Sequence, residues 1–188
     1  MNEGQWVTSL KPRIEDALTR SDPQLHAYVG RRLAYSMEIQ SYDQDEEPQR
    51  SVMSYQTDLL VGEDLGGGVW KPRVVVEAKL GSVTTHDAIT YSQKAIDHKN
   101  VHPYLRYGFI IGANKGVSLP GRLFRHGGDF DFMLSCKGEN LSELEYSTLI
   151  EMLLAEVEAS RALERIVFNT RAKDRHRYFC LHRRLILK

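Results

Sequence analysis

Two stretches decide how this chain folds: Tyr-Gln-Thr-Asp-Leu-Leu-Val at residues 55–61 and Val-Val-Val-Glu-Ala-Lys-Leu at residues 74–80. Both are rich in β-forming residues and read as strands. Residues two apart on a strand point to the same face, which puts Glu77 beside Lys79. The residues between the strands, 62–72, contain Gly66-Gly67-Gly68 and read as a hairpin loop. If the second strand folds back along the first around this loop, Asp58 can lie across from Glu77; the sequence alone does not fix the register. The run Val74-Val75-Val76 predicts burial on both faces of its strand.

The charges at the end of that run carry chemistry. Burying Glu77 and Lys79 behind three valines is costly unless they are paired or meet a metal. Two carboxylates converging at one point repel each other, and a hard divalent cation relieves the repulsion. An adjacent ammonium can orient or deprotonate a water or stabilise negative charge. Asp58, Glu77 and Lys79 are together a sufficient kit for hydrolysing a phosphodiester around a metal. The competing reading is an ion pair on a wet edge strand, contributing about 0–1 kcal/mol. An edge strand with one wet face should alternate in polarity, and the valine run does not.

Working outward, Ile14, Ala17 and Leu18 share a helical face near the N-terminus. Ser21-Asp22-Pro23 predicts the start of a second helix, with Leu25, Tyr28, Val29 and Leu33 at helical spacing. A strand is expected from Met37 to Tyr42, an acidic turn from Asp43 to Pro48, and the next strand from Val52 to Val61. The third runs from Arg73 to Leu80. A helix follows from Thr85 to about Lys99, capped by Thr84 or Thr85, and carries the chain to a parallel apolar strand at Tyr107–Gly112. Residues 114–128 read as a glycine-rich loop and Phe130–Leu134 as a short strand. Ser142 and Glu145 form a capping box ahead of an amphipathic helix ending near Phe168. The expected class is α/β, with one mixed sheet flanked by helices.

Asp58, eighteen intervening residues and then Glu77-Ala78-Lys79 resemble the PD-(D/E)xK nuclease superfamily, as does the element order over roughly residues 10–115. The resemblance implies a restriction-endonuclease-like core (αβββαβ, about residues 10–135) within a single domain 1–188. The helix and basic tail at 140–188 form a C-terminal extension. It implies that Asp58, Glu77 and the main-chain carbonyl of Ala78 hold magnesium, with manganese as a substitute, and that Lys79 positions the attacking water. Glu15, with Asp16 next, is the candidate acid on the first helix that supports the metal. On the helix after Lys79, Gln93 is a further candidate catalytic residue, and Tyr91 and Lys94 are candidates for contacting substrate. The sequence departs from the pattern at Thr57, where proline is common, and at Asp97, where some branches carry tyrosine. The activity implied is endonucleolytic cleavage of double-stranded DNA in restriction, defence or repair, by a candidate homodimer. The alternative is a non-catalytic nucleic-acid-binding or scaffolding module on the same fold.

Composition frames these expectations. The chain has 188 residues, 25 basic and 25 acidic side chains, and is 41% hydrophobic, enough for one sizeable core and unlike a disordered chain. With two cysteines there is no disulfide framework and no zinc spacing. No apolar run is long enough to span a bilayer, and a cytoplasmic protein is expected. The zero net charge is a sum of unlike parts: residues 171–188 hold seven Lys/Arg against one Asp, so the rest of the chain is acidic. A polyanion would therefore be met locally. The candidate contacts are Arg122, Arg125 and His126 in the glycine-rich loop and Arg171, Lys173, Arg175 and Arg177 in the tail. Glu63 and Asp64 read as solvated loop acids, and the helix after Ser142 as a core-packing helix.

Overall fold

A computed structural model describes residues 1–115 and 118–169. Helix α1 (Glu3–Ser21) opens on a capping box between Asn2 and Gln5 and buries Trp6, Val7, Ile14 and Leu18. Five strands follow: β1 (Leu25–Val29), β2 (Arg32–Tyr42), β3 (Pro48–Gln56), β4 (Leu59–Gly66) and β5 (Val69–Leu80). Then come α2 (Thr85–Val101), β6 (Arg106–Gly112), α3 (Gly121–His126), β7 (Phe132–Ser135) and α4 (Glu143–Phe168). The fold is mixed α/β. A five-stranded sheet runs in the order β1-β4-β5-β6-β7, and β2 and β3 form a separate two-stranded ribbon. The β1–β4 and β4–β5 pairs are antiparallel, while β5–β6 and β6–β7 are parallel. Among the described residues no helix is long and apolar enough to cross a membrane.

The valine run sits at the centre of this sheet. Val74 and Val76 join α1 and α4 in one apolar cluster, with Leu149, Leu153 and Val157 supplied by α4. Val75 faces the other way, into a second cluster with Tyr107, Phe109 and the α2 residues Ala88 and Ala95. All three valines are fully buried, as expected for a strand covered on both faces. α2 is capped by Thr84, one of the two expected threonines, in a capping box with Asp87, and α4 begins at the expected Ser142/Glu145 box.

Four expectations need correction. The segment after Ser21 is a strand, not a helix. Asp22 accepts the Gln24 N–H and its carbonyl accepts the Leu25 N–H, which makes Ser-Asp-Pro a turn. Leu25 and Ala27 then alternate inward and pair with Glu63 and Val61. Residues 52–61 are not one strand: the chain breaks at Thr57–Asp58 between the ribbon and the main sheet. The hairpin loop shrinks to Gly67-Gly68, which like Gly66 at the end of β4 have positive φ, so β4 and β5 run almost to the tip. The loop 114–128 contains the short helix α3, anchored by buried Leu123. Five strands, not three, therefore precede α2.

Close packing between the parallel strands gives a direct test. A Cβ built on Gly108 would meet the Phe132 ring at 2.1 Å. Gly108→Ala should lower stability by about 1–3 kcal/mol, read as a reduced urea midpoint with an unchanged slope. An unchanged midpoint would show that β7 does not pack as described.

Candidate active site

Asp58 is placed by the junction between ribbon and sheet. The Thr57 N–H and hydroxyl both donate to the Arg31 carbonyl, at 3.0 and 2.9 Å, and the Gly30 N–H donates to the Thr57 carbonyl at 3.0 Å. These bonds pin the exit of β3 to the link between β1 and β2. β4 begins at Leu59 opposite Val76, which sets Asp58 level with Glu77. Its Oδ2 accepts the Ala78 N–H at 2.9 Å. In an extended strand the N–H and C=O of one residue point to the same edge, so the Ala78 carbonyl faces the Asp58 side.

Glu77 lies at the end of the valine run with 2% of its surface exposed. Tyr107 donates to its Oε1 at 2.6 Å, and the Lys94 ammonium stands 3.6 Å from its Oε2. Burial, followed by the neighbouring Asp58 charge, pushes the Glu77 carboxyl up to about 7; Lys94 and the Tyr107 hydroxyl oppose the shift without cancelling it. The same surroundings act on the tyrosines. Burial and then Glu77 raise Tyr107 well above the ordinary phenol value and push Tyr91 up to about 12. Tyr107 stacks on His98, at 5.7 Å between centroids, which fixes the hydroxyl that holds Glu77.

Lys79 is bridged to Glu3 at 3.1 Å and to Asp87 at 3.6 Å. Burial pulls its pKa down, but Glu3 and Asp87 outweigh it and hold the ammonium above the ordinary lysine value. The α1 acid that reaches the trio is thus Glu3. Glu15 is engaged elsewhere, accepting from the His26 ring and the Ala27 N–H on β1, and Asp16 pairs with Arg20. Lys94 and Tyr91 both stand at the site, with the Lys94 ammonium 5.0 Å from the Tyr91 ring centroid. Gln93 is exposed and donates to Asp97 at 2.8 Å. Arg122, Arg125 and His126 are exposed on α3, which packs beside α2. Arg171, Lys173, Arg175 and Arg177 lie outside the described residues. Glu63 is not a solvated loop acid: it is buried against Arg73 and Arg161.

Sequence reasoning missed Glu3 and Tyr107. Glu3 carries only a weak signal, an acid in the first turn of a helix. Tyr107 carries one that can be read: a tyrosine opening an otherwise apolar strand expected to lie beside Glu77, with a hydroxyl that must find a partner when buried.

The donor set suits a hard cation. Asp58, Glu77 and the Ala78 carbonyl offer only oxygen, and magnesium is commonly held by one or two carboxylates plus substrate phosphate. Among the described residues no cluster of three or more His, Cys, Asp or Glu side chains is arranged for a metal. A Glu77 carboxyl raised to about 7 is a buried acid that keeps its proton to near neutral pH, because burial and Asp58 outweigh the positive charge facing it. No family model matches the chain, and a search of curated proteins found no match.

An acid whose folded pKa exceeds its unfolded value costs stability as pH rises between the two. In chelator the Glu77 carboxyl should therefore contribute a loss of stability from about pH 4.5 to about pH 7, on the order of 3 kcal/mol, against the opposite slope of His98 and His102, whose burial lowers their pKa values. Glu77→Gln should remove the Glu77 contribution, and urea midpoints across the range check it. A slope unchanged by the substitution would contradict the burial assigned to this carboxyl.

Proposed function

We propose that the protein is a divalent-metal-dependent nuclease acting on DNA, built on a restriction-endonuclease-like core. The observation that carries this is the anchored convergence of Asp58 and Glu77 at the end of a buried strand, with the charged Lys79 two residues on. The antiparallel β4–β5 pair, the α2 crossover and the parallel β6 agree with that core.

In this reading Asp58, Glu77 and the Ala78 carbonyl hold magnesium or manganese. The bound metal supplies Lewis-acid polarisation of a phosphoryl oxygen and lowers the pKa of a water. Each protein group has a distinct task. The Ala78 N–H fixes one Asp58 oxygen and the Tyr107 hydroxyl fixes Glu77 Oε1, so the carboxylates are oriented before ligand arrives. Lys79 keeps its proton, because Glu3 and Asp87 hold its pKa up. It therefore acts as a donor that orients water and stabilises charge developing on the phosphate, not as a general base. Lys94, beside Glu77 Oε2, is placed to meet the next phosphate of the strand. The exposed basic side chains of α3, which packs against α2, are further candidates for phosphate contact.

Purified protein with magnesium or manganese should cleave plasmid or oligonucleotide DNA, and chelator should abolish the cleavage. Asp58→Asn, Glu77→Gln and Lys79→Ala should each lower the rate by about a hundredfold or more while melting no lower than the wild type by more than a few degrees. Binding of DNA without cleavage in either metal would instead identify a non-catalytic module. Variants that cut like the wild type would overturn the mechanism.

A further inference from the structure

A groove of about 410 Å3 runs between the ribbon and α2, lined by Tyr55, Ile89, Thr90, Gln93, Lys94 and Asp97. We propose that it receives one unpaired nucleotide next to the phosphate being cut, with the nucleotide's phosphate toward Lys94 and its base along Tyr55 and the Gln93–Asp97 pair. The identity of the ligand rests on the nuclease reading, which this deepens by naming the form of nucleic acid the site takes.

The groove has one rigid aromatic wall and one helical wall. Tyr55, one residue before the end of β3, pairs with Leu33. Its ring stacks on Tyr35, with centroids 3.7 Å apart and an interplanar angle of 8°, and meets His98 edge-on at 5.8 Å. Held from behind in this way, it is a preorganised surface for a base. The opposite wall is a single face of α2, since Ile89, Thr90, Gln93, Lys94 and Asp97 recur at helical spacing. Ile89, about half exposed, gives that wall an apolar lip.

The groove carries both signs of charge. On its α2 wall the Lys94 ammonium stands 3.6 Å from Glu77 and 5.6 Å from the Tyr55 ring centroid, which links the groove to a candidate metal ligand. Beside it on α2, Gln93 donates to Asp97, leaving a carboxylate oxygen and an amide oxygen as acceptors. A phosphate is drawn to Lys94 and repelled by Asp97. A base edge, which carries N–H donors, fits the Gln93–Asp97 acceptors. The volume is at the lower end of that of small-ligand pockets, about 300–1,000 Å3. It admits a nucleotide and not a double helix, whose base faces and pairing edges are in any case already occupied.

The test is fluorescence anisotropy in chelator, where nothing is cut. Three labelled probes of one sequence are compared: a short single strand, a blunt duplex, and that duplex with one bulged nucleotide. The wild type should bind the single strand or the bulged duplex at least about fivefold more tightly than the blunt duplex, the low end of what one stacked base contributes. Tight binding of the bulged duplex alone assigns the nucleotide to extrusion from a duplex, and of the single strand to a free strand; both support the groove. Ile89→Glu and Thr90→Glu change exposed residues at the lip, and each should remove that preference with the melting temperature unchanged. Tyr55→Phe should retain it. Equal or tighter binding of the blunt duplex, or lip variants that keep the preference, would overturn the proposal. Because no cleavage is read, a groove that binds in a protein that never cuts would sink the nuclease reading alone. A protein that cuts but shows no preference would sink the groove alone.

Discussion

A carboxylate held away from water at the end of three buried valines is expensive, and much of the surrounding structure can be read as accommodation of Glu77. Its neighbours meet the cost in part. The Tyr107 hydroxyl satisfies one oxygen and the Lys94 ammonium faces the other, while Asp58 adds a second negative charge and is itself held by the Ala78 N–H. The raised Glu77 pKa is the remainder of that cost. Such a remainder is what a cation would neutralise, and it connects the packing of the sheet to the chemistry proposed for it.

The frame that keeps these groups in place is built on both faces of the sheet. On one face, Arg161 of α4 reaches Asp22 and Glu63, and Arg73 bridges Glu63 and Glu164. This network ties α4 to β4, β5 and the turn before β1. Most of these groups are at least partly buried, so removing one partner would strand the other. On the other face, His98 donates its Nδ1–H to the Ala34 carbonyl and sits among Tyr35, Tyr55 and Tyr107. That aromatic stack joins the ribbon to α2 and steadies Tyr107 under Glu77. The site thus lies where the two-stranded ribbon, the main sheet and α2 meet.

What could be read from the sequence was what local chemistry decides. β5, α2, β6 and α4 carry their own signals: a β-branched run, a capping threonine, an apolar strand beyond a proline and a capping box. A hairpin between their strands allowed Asp58 to lie near Glu77, and the β4–β5 register settles it. The misreadings have tertiary causes. Leu25, Tyr28, Val29 and Leu33 fit helical spacing as well as they fit a strand, and only pairing with β4 decides between them. The break at Thr57 is imposed by the Arg31 carbonyl. Glu63 looks like a loop acid until Arg161, 98 residues away, is folded over it. Glu3 and Glu15 are both acids on α1, and the sequence could not tell which end of that helix faces Lys79.

The central claim, that Asp58 and Glu77 form one cation site whose glutamate is protonated before loading, is tested most directly by isothermal titration calorimetry. Manganese is titrated into metal-free protein near pH 6.5, in two buffers of different ionisation enthalpy. The account predicts binding at one site per chain, with a buffer-dependent heat reporting the release of close to one proton per ion as Glu77 ionises. It also predicts loss of both signals in the Asp58→Asn and Glu77→Gln variants. Binding that persists in both variants, or no binding to the wild type at millimolar manganese, would contradict it.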